Sequence, residues 1–368
     1  MTSLSASRER VRAWLFDQAL PLWAARGAAA DGGFHEALDF EGRPVANLAR
    51  RTRVQARQIY AFAQGSALGW APGADIARAG LDRMVAACRR DDGLWRLTTD
   101  ADGQALDDGV DLYDQAFVLF ALAAAHRVLG DARAAPLAAR TVQSIRERMT
   151  SLHGGWDEAI PPALPRRQNP HMHLLEAMLA WRDIAPAPAW DAMAAESLGL
   201  FDRAFFDVEH RVLGEYFTED WAVAPGDPGR VVEPGHHMEW VWLLDRARTA
   251  GMGERDGPAR ALYATAIERG LDGDGFAIRE FARDGGAIDG GRRLWAQTET
   301  LRTHLLLGET GRAVALIRAV FDTHLDTAVP GLWMDSYDVD DRPMDARVPA
   351  STLYHLMTAF TAVLDSET

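Results

Sequence analysis

The residues best placed to do chemistry cluster in Glu233-Pro234-Gly235-His236-His237-Met238-Glu239-Trp240. Pro234 suits the first position of a helix, where its missing N–H is not needed, and an apolar run follows. His236 then falls in the first turn, where backbone N–H groups and the positive end of the helix dipole disfavour imidazolium. The ring is expected to be neutral and able to act as a base. Glu239, three residues on, shares its face and is expected to hold that ring through a hydrogen bond. Two packing histidines at a helix end would give the same stretch, so the question is where similar residues recur.

They recur at regular intervals. A turn signal built on glycine and an aromatic or apolar residue appears at Gly33-Phe34, Gly93-Leu94-Trp95, Gly155-Trp156, Gly214-Glu215-Tyr216, Gly275-Phe276 and Gly331-Leu332-Trp333, and the glycines lie 60, 62, 59, 61 and 56 residues apart. Some 18–24 residues after each glycine comes an apolar helical pattern, marked by Arg57, Tyr113, His173, His236, Gln297 and Tyr354. More charged helices follow over 76–90, 133–149, 190–206, 258–270 and 311–325, and residues 4–26 form another amphipathic helix. Hairpins of this kind cannot bury their apolar faces alone and must stack. The expectation is an all-α (α/α)6 barrel of twelve helices, a single domain over residues 1–368, with the apolar helices inside; an open solenoid is the alternative. In the closed form the inner helices run the same way and their N-terminal ends share one mouth.

Composition narrows what that mouth can bind. The chain of 368 residues is 48% hydrophobic and 25% charged, carries a net charge of −14, and so repels nucleic acid and anionic membranes. All 39 basic residues are arginine. The absence of lysine excludes a Schiff-base lysine, a pyridoxal phosphate anchor and a nucleotide-binding Walker lysine. Cys88 is the single cysteine, which excludes internal disulfides and thiolate metal clusters. The N-terminal segment does not read as a signal peptide, and no apolar run of 18 residues is expected anywhere. A cytoplasmic protein without a cofactor follows, with assembly up to a homodimer left open.

The side chains expected at the mouth are Arg57, Tyr113, Asn169, His173, Glu176, His236, Glu239, Trp295, Gln297, Glu299 and His355. Planar rings and directional polar groups suit a small sugar, whose faces stack on aromatics while its hydroxyls need partners. Val54-Gln55-Ala56-Arg57-Gln58, Asn169-Pro170-His171-Met172-His173-Leu174-Leu175-Glu176-Ala177, Pro234-Gly235-His236-His237-Met238-Glu239-Trp240, Leu294-Trp295-Ala296-Gln297-Thr298-Glu299 and Tyr354-His355 together resemble the N-acylglucosamine 2-epimerase family. The resemblance spans nearly the whole chain. It implies an (α/α)6 barrel without a catalytic metal, acting as a sugar 2-epimerase or an aldose–ketose isomerase. It also implies that His236 and His355 are the catalytic histidines, that Glu239 is the partner of the first, and that Arg57, Asn169, His173 and Arg230 surround the reacting end of the sugar. The pattern departs at Arg53, where relatives often carry Trp, and at Ser351, where they can carry Gln.

Interconverting an aldose and a ketose requires a base for the proton beside the carbonyl and stabilisation of an enediolate oxygen. Histidine suits the first task; Arg57 and His173 suit the second. One base returning the proton to C1 yields a ketose, and a second base on the opposite face would yield the 2-epimer; the Pro349-Ala350-Ser351-Thr352-Leu353-Tyr354-His355 motif resembles the mannose-isomerase branch of the family, which implies isomerisation of mannose or a close relative. Rival readings use the same residues differently: a glycoside hydrolase or lyase through Glu176 with Glu239 or Glu299 with Asp335, a metal-dependent isomerase through His171, His173, His236, His237 and Glu239, or a sugar-binding protein without turnover. The run Arg50-Arg51-Thr52-Arg53 can be read as a grip for phosphate or sulfonate, or as a solvated connector.

Overall fold

A computed structural model describes residues 3–366; the expected domain ends, Met1 and Thr368, lie outside them. The first helix, α1, runs from Leu4–Ala13 through wide turns at Trp14–Ala19 and Trp23–Gly27. Pro21 explains the first of these, since it removes one ladder N–H and crowds the carbonyl of Asp17, four residues back. Eleven further helices follow: α2 Thr52–Ala67, α3 Gly73–Cys88, α4 Leu112–Ala124 extended to Leu129, α5 Ala134–Arg148, α6 Asn169–Ile184, α7 Pro188–Leu200 extended to Phe205, α8 Pro234–Thr249, α9 Asp256–Arg269, α10 Leu294–Leu306, α11 Thr310–Asp322 and α12 Leu353–Asp365. The even-numbered helices are buried almost all round and pack successively, α2 on α4, on through α6, α8 and α10 to α12.

The ring is closed. Helix α12 packs on α2, so the open solenoid is excluded, and five hairpins run in sequence while the sixth is made from the two ends of the chain, α12 against α1. Trp23 of α1 seals this junction by stacking on Trp333 at 4.7 Å and donating its indole N–H to the Gly331 carbonyl at 3.2 Å. Burying rings of that size contributes about 1.5–3 kcal/mol each, enough to hold two chain ends that no turn connects.

Helix α4 corrects one expectation. Leu112–Leu129 reaches a mean hydropathy of 1.2 over 18 residues, and 78% of it is buried inside the protein. An inner helix of a barrel touches neighbours on nearly every side, so it reads as apolar all round without a membrane.

A second ring orders the mouth. A two-residue strand precedes each inner helix with at most three residues between, and each pairs with a segment of the next unit: Arg50–Arg51 with Thr98–Thr99, Val110–Asp111 with Ala159–Ile160, Arg166–Arg167 with Tyr216–Phe217, Val231–Val232 with Phe281–Ala282, Arg292–Arg293 with Ser336–Tyr337, and Val348–Pro349 back to Ala37–Leu38. The N-terminal ends of the inner helices are thereby fixed side by side.

Candidate active site

Helix α8 begins at Pro234, as its sequence indicates, and puts His236 in its first turn. Gly235 matters for space: a Cβ there would come within 2.6 Å of the Trp295 ring. Without it the indole lies against the start of α8, 4.9 Å from the ring of His236 and 5.8 Å from that of His355. Trp295 therefore packs against both histidines.

The partner of His236 is Glu215, not Glu239. The Nδ1 of His236 is 3.0 Å from Oε2 of Glu215, which also accepts from Gln168 Nε2 at 3.0 Å, and Glu233 lies 3.8 Å away. Burial disfavours a charged ring, yet Glu215 first and Glu233 second outweigh it and lift the pKa to about 10. The expected neutral imidazole is therefore replaced by an imidazolium at neutral pH, because two carboxylates within 4 Å outweigh the partial charge of a helix end. The Nε2 of this ring is 3.1 Å from the Asn169 amide. A cationic ring needs an acceptor there, so the amide is satisfied with its oxygen turned toward Nε2.

His355 is the opposite case. Its Nδ1 is 2.8 Å from Oε1 of Glu299, whose other oxygen accepts from Arg302 at 2.6 Å. Burial holds its pKa below the ordinary value despite the pull of Glu299, so the ring is neutral and the bond to Glu299 leaves Nε2 as its base. His173 bonds Glu176 at 3.1 Å, Tyr354 donates to the same carboxylate oxygen at 2.6 Å, and burial brings the His173 pKa down to about 4. Arg57 lies over the Phe117 ring at 4.0 Å and donates to the Tyr113 hydroxyl at 2.6 Å. Glu239 sits among these groups, 3.7 Å from His173 Nδ1, with no hydrogen-bond partner for either oxygen. Burial, reinforced by Glu299 and Glu176, raises its pKa well above the carboxylate range, so it is a neutral acid.

Two expected site residues lie elsewhere. Gln297 is fully buried and grips the backbone of Ala277, accepting from its N–H at 2.7 Å and donating to its carbonyl at 2.8 Å. Gln55 does the same to Phe34 and Gln115 to Trp95, while His171 accepts from the Trp156 N–H and His237 from that of Leu213. One side chain near the start of each of these five inner helices thus pins the turn before it, which accounts for His171 and His237 as well as Gln297. The Arg230 side chain is 60% exposed and, among the described residues, its guanidinium is paired with Asp227 alone, at 3.9 Å, so it does not join the converging set.

The carboxylates of the rival readings have other partners: Glu176 holds His173, Glu299 holds His355, and Asp335 binds Thr352 and Arg293. Two groups, His173 with Glu176 and Glu239 and Glu215 with Glu233 and His236, have ligand-type atoms within 4.8 Å of one another, with Nδ1 of each histidine already bonded to a carboxylate. Sequence reasoning passed over Glu215 as a site residue. A signal existed: two residues after the apolar residue of the turn an acid recurs as Glu36, Glu158, Glu215 and Asp335, each buried and each reaching the start of an inner helix or the strand before it.

A model of the N-acylglucosamine 2-epimerase (GlcNAc 2-epimerase) family matches residues 32–359. The chain is 36% identical to mannose-6-phosphate isomerase of Rhizobium meliloti, covering 94% of each, and 29% identical to D-mannose isomerase of Thermobifida fusca, covering 83% of this chain and 81% of that one. The solved cellobiose 2-epimerase of Bacillus thermoamylovorans B4167 superposes with a TM-score of 0.88 at 19% identity, covering 97% of this chain and 98% of the other, a likeness of fold.

Proposed function

The chain belongs to the N-acylglucosamine 2-epimerase family, and from that premise we propose that it interconverts D-mannose, free or phosphorylated, or a close relative, with the D-fructose form through an enediolate. The reading takes residues 1–368 as one catalytic domain that acts on a small sugar without metal or cofactor. The observation that supports it is the unlike surroundings of the two histidines beside Trp295: His236 Nδ1 has Glu215 at 3.0 Å and Glu233 at 3.8 Å, whereas His355 Nδ1 faces Glu299 alone, a carboxylate already paired with Arg302. Neutral His355 takes the proton from C2 and returns it to C1 on the same face. Cationic His236, exchanging its Nε2 contact with the Asn169 amide for the substrate, donates with Arg57 to the oxygen on which charge develops. A 2-epimerase needs a second base on the opposite face, and a ring held as imidazolium by Glu215 and Glu233 is poorly suited to that task. The mannose-type relatives support the choice of sugar.

From mannose in D₂O, NMR should show a ketose accumulating well before any glucose. Glucose appearing first with deuterium at C2, and ketose only as a trace, would replace isomerisation by two-base epimerisation.

The same charges set the pH dependence. The kcat/KM profile should keep its activity below about pH 6.5, the ordinary histidine pKa, because burial holds the His355 pKa below that value, and should fall near pH 10, where His236 loses its proton. Glu215→Gln removes the leading carboxylate and should draw the alkaline limb down toward neutrality. An alkaline limb that stays in place would show that the charge of His236 does not govern the reaction.

A further inference from the structure

Three of the six strands at the mouth carry an arginine pair: Arg50-Arg51, Arg166-Arg167 and Arg292-Arg293. They precede α2, α6 and α10, so alternate units of the ring supply them. The first member of each is buried and ties one loop to another. Arg50 binds Asp31 at 2.7 Å, Arg166 lies over Trp221 at 3.8 Å, and Arg292 lies over Phe276 at 4.4 Å. The second member stands at the rim close to the candidate site: Arg167 is two residues before Asn169, and Arg293 two before Trp295. Arg53, two residues after Arg51, is a fourth. Its guanidinium is 5.5 Å from the centre of the Tyr113 ring, whose hydroxyl accepts from Arg57.

Each of these four arginines has an acidic partner, and in every pair the acid is the more buried member. The side-chain exposures are 27% for Arg53 against 0% for Asp114, 40% for Arg51 against 5% for Glu36, 38% for Arg167 against 17% for Asp111, and 46% for Arg293 against 4% for Asp335. The acids orient the arginines from below, and what faces the opening is guanidinium with donors to spare. The four pairs cancel in charge, but on a chain of net charge −14 they put guanidinium rather than carboxylate outermost at one opening, where an anion can be bonded.

Resting on the reading of this mouth as an aldose site, we propose that the physiological substrate is a phosphorylated aldose, with its phosphate held at the rim by Arg53 and the neighbouring Arg51. Arg53 lies one helical turn before Arg57, about 6 Å along the axis, which is the scale of a six-carbon chain. The reacting carbons lie between His236 and His355 with Arg57 at their oxygens, and the far end of the sugar meets Arg53.

The test is calorimetric titration of the protein with mannose and with mannose 6-phosphate, beside turnover of both. The phosphorylated sugar should bind at least about tenfold tighter, as charge-assisted guanidinium–phosphate bonds provide. That preference should shrink as salt is raised. Arg53→Gln should lower it by weakening the phosphorylated sugar selectively, and Arg51→Gln provides the same reading if the first variant does not fold. Equal affinities for the two sugars, or a preference untouched by both variants, would overturn the proposal whatever the product. Absence of a ketose from either sugar would overturn the isomerase reading instead, since binding is measured apart from turnover.

Discussion

His355→Asn is expected to lower turnover by a factor of about 10² to 10⁴ while leaving the fold intact, the range for loss of a proton-transferring group. Asparagine can still meet Glu299 through its amide, so the buried carboxylate keeps a partner besides Arg302. What disappears is the only base among the two rings beside Trp295 that is neutral at physiological pH. His236→Asn should cost on the order of 10² or more for the opposite reason, the loss of a cation that donates to the developing oxygen. Steady-state rates on the preferred aldose, with circular dichroism to confirm folding, check both. A near wild-type rate in either variant would remove that residue from the mechanism.

Arg302→Met is expected to destabilise the protein by about 3–5 kcal/mol, the usual result of leaving a buried charge without its partner. The Arg302 side chain is 3% exposed, lies over the Trp242 ring at 4.0 Å and bonds Glu299 at 2.6 Å. It is a source of positive charge for Glu299, Glu176 and Glu239 together, and it helps hold the first two ionised against burial. Without it the folded-state pKa values of Glu299 and Glu176 rise above those of the unfolded chain. The folded state then favours their neutral forms, so the destabilisation should be fully present at pH 8 and relieved as pH falls through the raised values. Denaturant midpoints of wild type and variant at pH 8 and pH 5 read this directly. A midpoint difference of the same size at both pH values would mean that Arg302 acts through packing alone.

The long-range order of this protein was written in local pattern. Glycine markers about sixty residues apart, an apolar helix after each and a charged helix after that are properties of consecutive residues. They were enough to place twelve helices, to start α8 at Pro234 and to bring Arg57, Asn169, His173, His236, Trp295 and His355 toward one mouth. Family motifs read from the same residues named the kind of chemistry, and the family match over residues 32–359 agrees.

What tertiary structure decided was which atoms touch and what charge they carry. His236 and Glu239 share a helix face in sequence, but the side chain that reaches His236 Nδ1 is Glu215, 21 residues earlier, brought in by the mouth ring. Gln297 has the same polar groups whether it binds a sugar or a backbone; the Ala277 peptide beside it settles that it clamps a turn. The protonation states have the same origin. A histidine titrates according to its burial and the charges within a few ångströms, and for His236 and His355 those charges come from Glu215 and Glu299, which lie outside their own helices. Helical periodicity survives in one dimension because it repeats along the chain, whereas a pKa depends on distances between residues that only folding brings together.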